Sequence, residues 1–249
     1  MITAQQLSYR VSGHSILRRL DLNVEKGETM AVMGMSGAGK STLLKCMGGL
    51  IYPTGGTLRI DGVDIARMPE HDLDKVRRRI GMIFQYAALF DSLNVYDNVS
   101  FGLRRHFKMN ENDIAEVVRA KLSLVGLPRT EELFPSELSG GMQKRVGLAR
   151  ALAMSPDIVL YDEPTAGLDP ITSATIAELI IKTRDELGVT SVIVSHDIQT
   201  INRVSNRIAM LHRGKIVAVG TVDEINKSDN PMVKQFMIGS TEGPIQITR

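Results

Sequence analysis

The sequence predicts an α/β protein with a core sheet of buried strands, an antiparallel β layer at the N-terminus and an inserted helical sub-domain. Three observations lead there. Apolar runs of strand length, Thr29–Met33, Ile80–Phe84, Ile158–Tyr161 and Val192–Ser195, are each followed by glycine or polar residues. Residues 1–30 alternate polar and apolar around the turn clusters Ser12-Gly13-His14 and Glu25-Lys26-Gly27-Glu28, the pattern of half-buried antiparallel strands. From Tyr86 to about Ala153 the period becomes helical, so a helical sub-domain over about 86–155 interrupts the core.

The chain organises around Gly34-Met35-Ser36-Gly37-Ala38-Gly39-Lys40-Ser41-Thr42, which joins the strand 29–33 to a helix beginning Leu43-Leu44-Lys45-Cys46-Met47. A strand, a glycine-rich turn and a helix in that order form the context of a phosphate-binding loop. Gly34, Gly37 and Gly39 can take positive φ and turn successive amides inward at the positive end of a helix, making a nest for an anion. Lys40 then reaches the β- and γ-phosphates and the Ser41 hydroxyl is placed for Mg²⁺. Nucleotide binding is the premise for the rest.

The remaining elements follow in order. Tyr9 lies on the first strand, where an aromatic can stack on a base but by itself is more often just a strand aromatic. Gly48-Gly49 ends the helix after the phosphate loop, Pro53–Gly56 turns, and Thr57–Ile60 is a strand closed by Asp61-Gly62 in hairpin fashion. Helical pattern resumes near Leu73–Arg79, and the strand 80–84 ends on Gln85. Asn110–Asp113 supplies an N-cap for a helix over Ile114–Val125. Ser139, Gly140 and Gly141 open a helix over Gln143–Met154; such a start can bind an anion, but alone it is more often an ordinary helix cap.

The strand 158–161 delivers Asp162 and Glu163 to its C-terminal end, which is the ligand edge of a parallel sheet. There an aspartate can hold Mg²⁺ and a glutamate can orient or deprotonate water. The turn 164–170, with Asp169, leads to a helix over Ser173–Glu186, and His196 stands at the end of the strand 192–195. Arg207–Leu211 and Lys215–Ala218 form a hairpin, and Thr221 caps a helix ending near Gly239. Residues 1–239 read as one ATPase domain, and 240–249, polar with Gly243-Pro244, as a loose tail.

Composition narrows the function. Thirty basic against 28 acidic residues give a net charge of +2 over 249 residues, and the densest basic cluster, Arg77-Arg78-Arg79, is explained by a solvated helix face at least as well as by an anion site. No nucleic-acid arm is present. The one cysteine, Cys46, fits a reducing compartment and reads as packed rather than reactive. Neither a secretory signal nor a run of some 18 apolar residues occurs, so a soluble, cytoplasmic chain is expected, brought to any membrane by a partner.

Taken together and in order, Tyr9, residues 34–42, Gln85, Leu138–Met142, Asp162-Glu163, Asp169 and His196 resemble the ATP-binding cassette of ABC transporters over nearly the whole chain. That resemblance implies a P-loop NTPase with a RecA-like core, working as a head-to-tail homodimer with ATP and Mg²⁺ between the copies. It assigns Tyr9 to the adenine, and Gly34, Ser36, Gly37, Ala38, Gly39, Lys40 and Thr42 to the phosphates. Ser41, Gln85 and Asp162 go to the metal, Glu163 to the general base and His196 to the γ-phosphate. Ser139, Gly140 and Gly141 would close on that phosphate across the dimer, with Asp169 signalling between sites. One departure is Met142, where the family usually has glutamine; here a glutamine stands only at 143.

The wording of Ala88–Leu93 and Gly140–Ala151, with Gln235-Phe236, Gly239 and Gly243-Pro244, is similar to ATPase subunits of Mla (maintenance of lipid asymmetry) phospholipid systems. This implies a permease docking on the segment 86–99, which by composition reads as readily as core packing, an MCE-domain lipid-binding protein, a small STAS-domain protein, and placement at the cytoplasmic face of a bacterial inner membrane. It also makes the tail a strap over the dimer partner, against the compositional reading. A small-solute importer would share every catalytic residue. A DNA- or ribosome-directed ATPase is disfavoured by the single cassette and near-neutral charge.

Overall fold

The computed structural model describes residues 1–246. The chain opens with β1 (Ile2–Val11), β2 (His14–Val24), β3 (Thr29–Met33), α1 (Lys40–Met47), β4 (Gly55–Ile60) and β5 (Val63–Asp64). Next come α2 (Glu70–Arg77), β6 (Ile80–Ile83), α3 (Val95–His106), α4 (Glu111–Leu124), a 3-10 turn at Pro135–Glu137, α5 (Gly140–Ala153) and β7 (Ile158–Asp162). The last stretch holds α6 (Pro170–Leu187), β8 (Thr190–Ser195), α7 (Ile198–Val204), β9 (Arg207–His212), β10 (Lys215–Thr221), α8 (Val222–Asn226) and α9 (Pro231–Ile238). Packing divides the chain into two units, Met1–Met68 with Val192 onward, and Pro69–Ser191.

The first unit contains the predicted antiparallel layer, in the order β2-β1-β4-β5. Its hairpins turn through Ser12-Gly13 (φ +48°, +79°) and Asp61-Gly62 (φ +50°, +81°), the two left-handed residues that match the strand twist. Strict alternation fails inside β2, where Leu17 is followed by Leu20 on the buried side. A bulge accounts for it: Arg19 takes φ +50° and the register shifts between Leu7 and Tyr9. In the same unit β3 runs parallel to β9, which pairs antiparallel with β10 through Arg213-Gly214. Ala31, Met33, Ile208 and Met210 from β3 and β9 form a core with Ile201, Ile225 and Val233. Each fully buried aliphatic side chain of this kind contributes roughly 1.5–3 kcal/mol.

Two expectations for this unit change. The helix expected from Thr221 to Gly239 is two helices, because Pro231 cannot continue α8 and instead starts α9 under an Asn230 cap, which accepts from the Met232 amide at 2.9 Å. Residues 240–246 are not loose. Ile245 is 5% exposed and belongs to the core of β3 and β9. Its amide donates to Gln235 Oε1 at 2.7 Å, and Gln235 Nε2 donates to the Ile245 carbonyl at 3.0 Å. The buried side-chain amide thus replaces a strand neighbour. Gly243, at φ +148°, lets the chain wrap over Gln235, since a Cβ there would strike the Gln235 amide. Composition missed this because one apolar residue among polar ones decides it. Residues 247–249 lie outside the described residues.

In the second unit β6 and β7 run parallel, with Ile80 opposite Ile158 and Ile83 opposite Tyr161. Gly81 lets α5 close on β6: a Cβ would stand 2.9 Å from the Ala151 carbonyl oxygen. Helices α3, α4 and α5 occupy the chain between these strands, capped by Asn94, Asn110 and Ser139. Arg104 joins α3 to α4 by pairing with Asp97 at 2.6 Å and Glu111 at 2.8 Å.

Replacing Gln235 by leucine should free 240–246: the Ile245 amide should lose hydrogen-exchange protection, with about 1–3 kcal/mol less stability in a denaturant titration.

Candidate nucleotide site

In the first unit, β3 is buried throughout and ends on the phosphate loop. Gly34, Gly37 and Gly39 take φ +151°, +77° and +107°, so each has the backbone that only glycine adopts without strain. Two of them also sit too close to neighbours for a side chain. A Cβ on Gly34 would run into the Leu211 carbonyl oxygen, and one on Gly39 would stand 3.0 Å from Leu17 Cδ2. The loop is further fixed by the Gly214 amide donating to the Ala38 carbonyl at 3.1 Å. Ser36 and Gly37 are exposed at its tip.

Lys40 opens α1 and is only 8% exposed. Its Nζ donates to the Gly34 and Met35 carbonyls at 2.7 and 3.2 Å. Gly39 at the N-cap position offers no side chain to the first-turn amides, and no acidic residue stands in that turn. Such a helix start favours an anion. Ser41 is exposed and Thr42 half-buried. Tyr9 is half-buried and pairs in register with Leu17, the residue packed beneath Gly39. His196 is exposed, between buried Ser195 and Asp197, whose carboxylate caps α7 through the Gln199 and Thr200 amides.

Behind the loop, Cys46 is buried, and burial pushes its thiol up to about 12. The sequence reading of a packed cysteine agrees.

In the second unit, Gln85 is exposed in the turn after β6. Asp162 is the last residue of β7, and Asp162 and Glu163 are 8% and 9% exposed. Glu163 has φ +49°, a left-handed backbone for a non-glycine residue, of the kind that clusters at working sites. Asp169 caps α6: its carboxylate accepts from the Ile171 and Thr172 amides at 3.0 Å and from the Thr172 hydroxyl at 2.5 Å. The Thr172 hydroxyl is the main cause that holds its carboxyl below the usual range. Ser139 caps α5, accepting from the Met142 amide at 3.3 Å. Gln143, one place later than the expected glutamine, instead braces the turn before the helix by donating to the Pro135 carbonyl at 2.9 Å.

Three residues went unremarked in the sequence. Lys144, 8% exposed, donates from Nζ to the Ala166 carbonyl at 2.7 Å and the Glu163 carbonyl at 3.4 Å. Arg150 donates to the carbonyls of Ala87 and Ala88, at 2.9 and 2.7 Å, both alanines being left-handed at φ +56° and +50°. Asn98, fully buried, accepts from the Phe90 amide and donates to the Phe90, Leu93 and Asn94 carbonyls. Each is a polar residue inside a helical stretch; the partners of Lys144 and Arg150 lie 19 to 63 residues away, while those of Asn98 are local but are backbone groups.

A family model described as ABC transporter matches residues 17–166. The chain is 40% identical over 246 residues to an intermembrane phospholipid transport system ATP-binding protein, MlaF, of Haemophilus influenzae, covering 99% of this chain and 93% of that one. This chain belongs to the ABC transporter family. A probable ribonucleotide transport ATP-binding protein, mkl, of Mycobacterium leprae is 41% identical over 98% of this chain and 70% of its own length. Among solved structures, the dimeric post-hydrolysis cassette MJ0796 bound to ADP and Pi superposes with a TM-score of 0.82 at 33% identity, covering 89% of this chain and 99% of that one. The chain is thus an ABC-family ATPase. Among the described residues no helix is long and apolar enough to cross a membrane.

Since the Cys46 thiol lies at about 12 against an ordinary 9.0, only the unfolded chain gains by ionising between those values. The stabilisation is present below about pH 9 and lost as pH rises towards 12. Alkylation of Cys46 at pH 8 should be slow until denaturant is added, and Cys46→Ala should flatten the alkaline fall in stability.

Proposed function

We propose that this chain energises phospholipid transport between two membranes, hydrolysing ATP as a homodimer bound to a transmembrane permease. The observation that carries the ATPase reading is the phosphate loop, with three glycines at positive φ around the buried ammonium of Lys40. The lipid cargo is supported by the near end-to-end match to the Haemophilus protein, 93% of whose length is covered, against 70% for the mycobacterial one. A small-solute cargo is the weaker reading on that ground.

In this reading Tyr9 stacks on adenine, and the amides from Gly34 to Gly39 with Lys40 and Thr42 hold the phosphates. Ser41, Asp162 and Gln85 would hold Mg²⁺. The ion usually takes only a few protein ligands and completes its shell with phosphate and water. An exposed hydroxyl opening α1 and a strand-end carboxylate suit that, and no cluster of three or more metal-ligating side chains exists among the described residues. When bound, Mg²⁺ neutralises charge on the β- and γ-phosphates. Glu163 takes the proton of the attacking water, and His196 contacts the γ-phosphate. Ser139, Gly140 and Gly141 of the partner subunit close on the same phosphate, while Asp169 links the two sites. A γ-phosphate gripped by both copies gives the closed dimer its differential affinity, and hydrolysis removes the grip.

The permease docks on the segment 86–99. Tyr86 is 85% and Phe90 44% exposed, and Phe90 lies 4.8 Å from the exposed ring of Phe101. Beside them is a cavity of about 440 Å³ lined by Leu93, Asp97, Phe101, Arg104 and Arg105. Val95, Val99 and Leu103 of the same stretch are core, so one helix serves both packing and docking. The permease holds the ATPase at the cytoplasmic face of the inner membrane. An MCE-domain protein and a STAS-domain protein complete the assembly.

Glu163→Gln should bind ATP, lose turnover by about 10²-fold or more, and run as a dimer in size-exclusion chromatography with ATP; wild-type turnover would remove Glu163 as the base. The double substitution Leu89→Glu with Phe90→Glu should leave ATP binding intact but abolish co-purification with the permease, and an intact complex would remove this docking surface.

A further inference from the structure

The second unit contains a buried cation that the assigned roles leave unused. Lys144 lies on α5, one turn beyond the Ser139 cap, with its ammonium turned away from solvent. An ammonium in such a place has to direct its hydrogens at acceptors. Here they are backbone oxygens of the loop after β7: Ala166 O at 2.7 Å and Glu163 O at 3.4 Å. Burial lowers the lysine below its ordinary range, and the Glu163 charge works against that effect.

The loop held in this way is not an easy one. Glu163 is left-handed at φ +49° without being glycine, a conformation that persists only where the surroundings enforce it. The same helix start touches the loop at a second place: a Cβ on Gly141 would stand 2.5 Å from Thr172 Cγ2, and one on Gly140 3.9 Å from Leu168 Cδ2. Thus α5 presents Ser139–Gly141 with its first residues and grips the Glu163–Thr172 segment with the next turn.

We propose that Lys144 is a positioning residue for ATP hydrolysis: by fixing the Glu163 and Ala166 carbonyls it aims the Glu163 carboxylate, and it ties that aim to the placement of Ser139–Gly141 on the same helix. The proposal rests on Glu163 being the base. Its consequence is directional. Closure of Ser139–Gly141 on nucleotide held by the other copy is passed along α5 to the base in the same chain, so the two sites of a dimer report to each other through Lys144.

The test uses the full chain in five forms: wild type, Lys144→Met, Lys144→Arg, Glu163→Gln and the double variant Lys144→Met/Glu163→Gln. Lys144→Met should lower kcat about tenfold or more, as misplacement of a reacting group does, with KM for ATP and the affinity for a fluorescent ATP analogue changed less than about twofold. Lys144→Arg, which keeps donors at the same place, should recover most of the rate. In the Glu163→Gln background the methionine should cost nothing further, because the group it misplaces is already absent.

Near wild-type kcat in Lys144→Met, with Glu163→Gln inactive, overturns the proposal and leaves the base in place. Normal turnover in Glu163→Gln overturns the base reading itself. An equal loss from Lys144→Met in both backgrounds, or a matching rise in KM, shows that the lysine acts otherwise than through Glu163. If Lys144→Met does not fold, Lys144→Ala takes its place, which also removes the donor, with the same expected split between kcat and KM.

Discussion

A buried ammonium group must find an oxygen for its hydrogens, and in each unit of this protein that requirement fixes one loop at the end of a buried strand. Lys40 and Lys144 are both 8% exposed. Neither relies on a carboxylate alone. Lys40 is held by the carbonyls of Gly34 and Met35, and Lys144 by those of Glu163 and Ala166. Desolvating a cation costs several kcal/mol when nothing compensates, so a loop whose carbonyls converge on the ammonium is stabilised in that one shape. The shapes are ones an unsupported chain avoids: glycines at positive φ in one loop, and a left-handed glutamate in the other.

Helix α5 extends the same principle through the second unit. Ser139 caps its start, and its residues hold two separate stretches: Lys144 the loop after β7, and Arg150 the left-handed alanines after Gln85. Gly147 completes the contact, since a Cβ there would stand 3.5 Å from Ala87 Cβ. Burial pulls the Arg150 guanidinium below its ordinary range, but two carbonyl partners keep the charge satisfied. Asn98 closes the other side of the turn by bonding Phe90 through both its amide and its carbonyl. The exposed rings of Tyr86 and Phe90 therefore stand on a fixed base.

Much of this was open to reading because it is local. Positive φ at Gly34, Gly37 and Gly39 follows from glycine's place between a buried strand and a helix, and the caps at Asn110 and Thr221 follow from side chains that reach amides two or three residues on. Periodicity could not show the break at Pro231 against the apolar pattern that continues past it, nor the hold on residues 240–246. Gln235 and Ile245 meet across a turn that only Gly243 permits. Lys144, Arg150 and Asn98 were passed over for the same reason: their acceptors are backbone oxygens, which every residue carries and no sequence distinguishes.

By itself, then, the chain's order of residues determined the strands, the phosphate loop, the caps and the set of chemical groups presented at strand ends, since each depends on neighbours within a few residues. Tertiary structure alone decided which carbonyls receive the buried cations, that Glu163 is held left-handed, and that Ile245 joins the core of β3 and β9. Those outcomes depend on the direction of atoms far apart in sequence, and burial makes that direction binding because an unsatisfied charge or amide has no water to turn to.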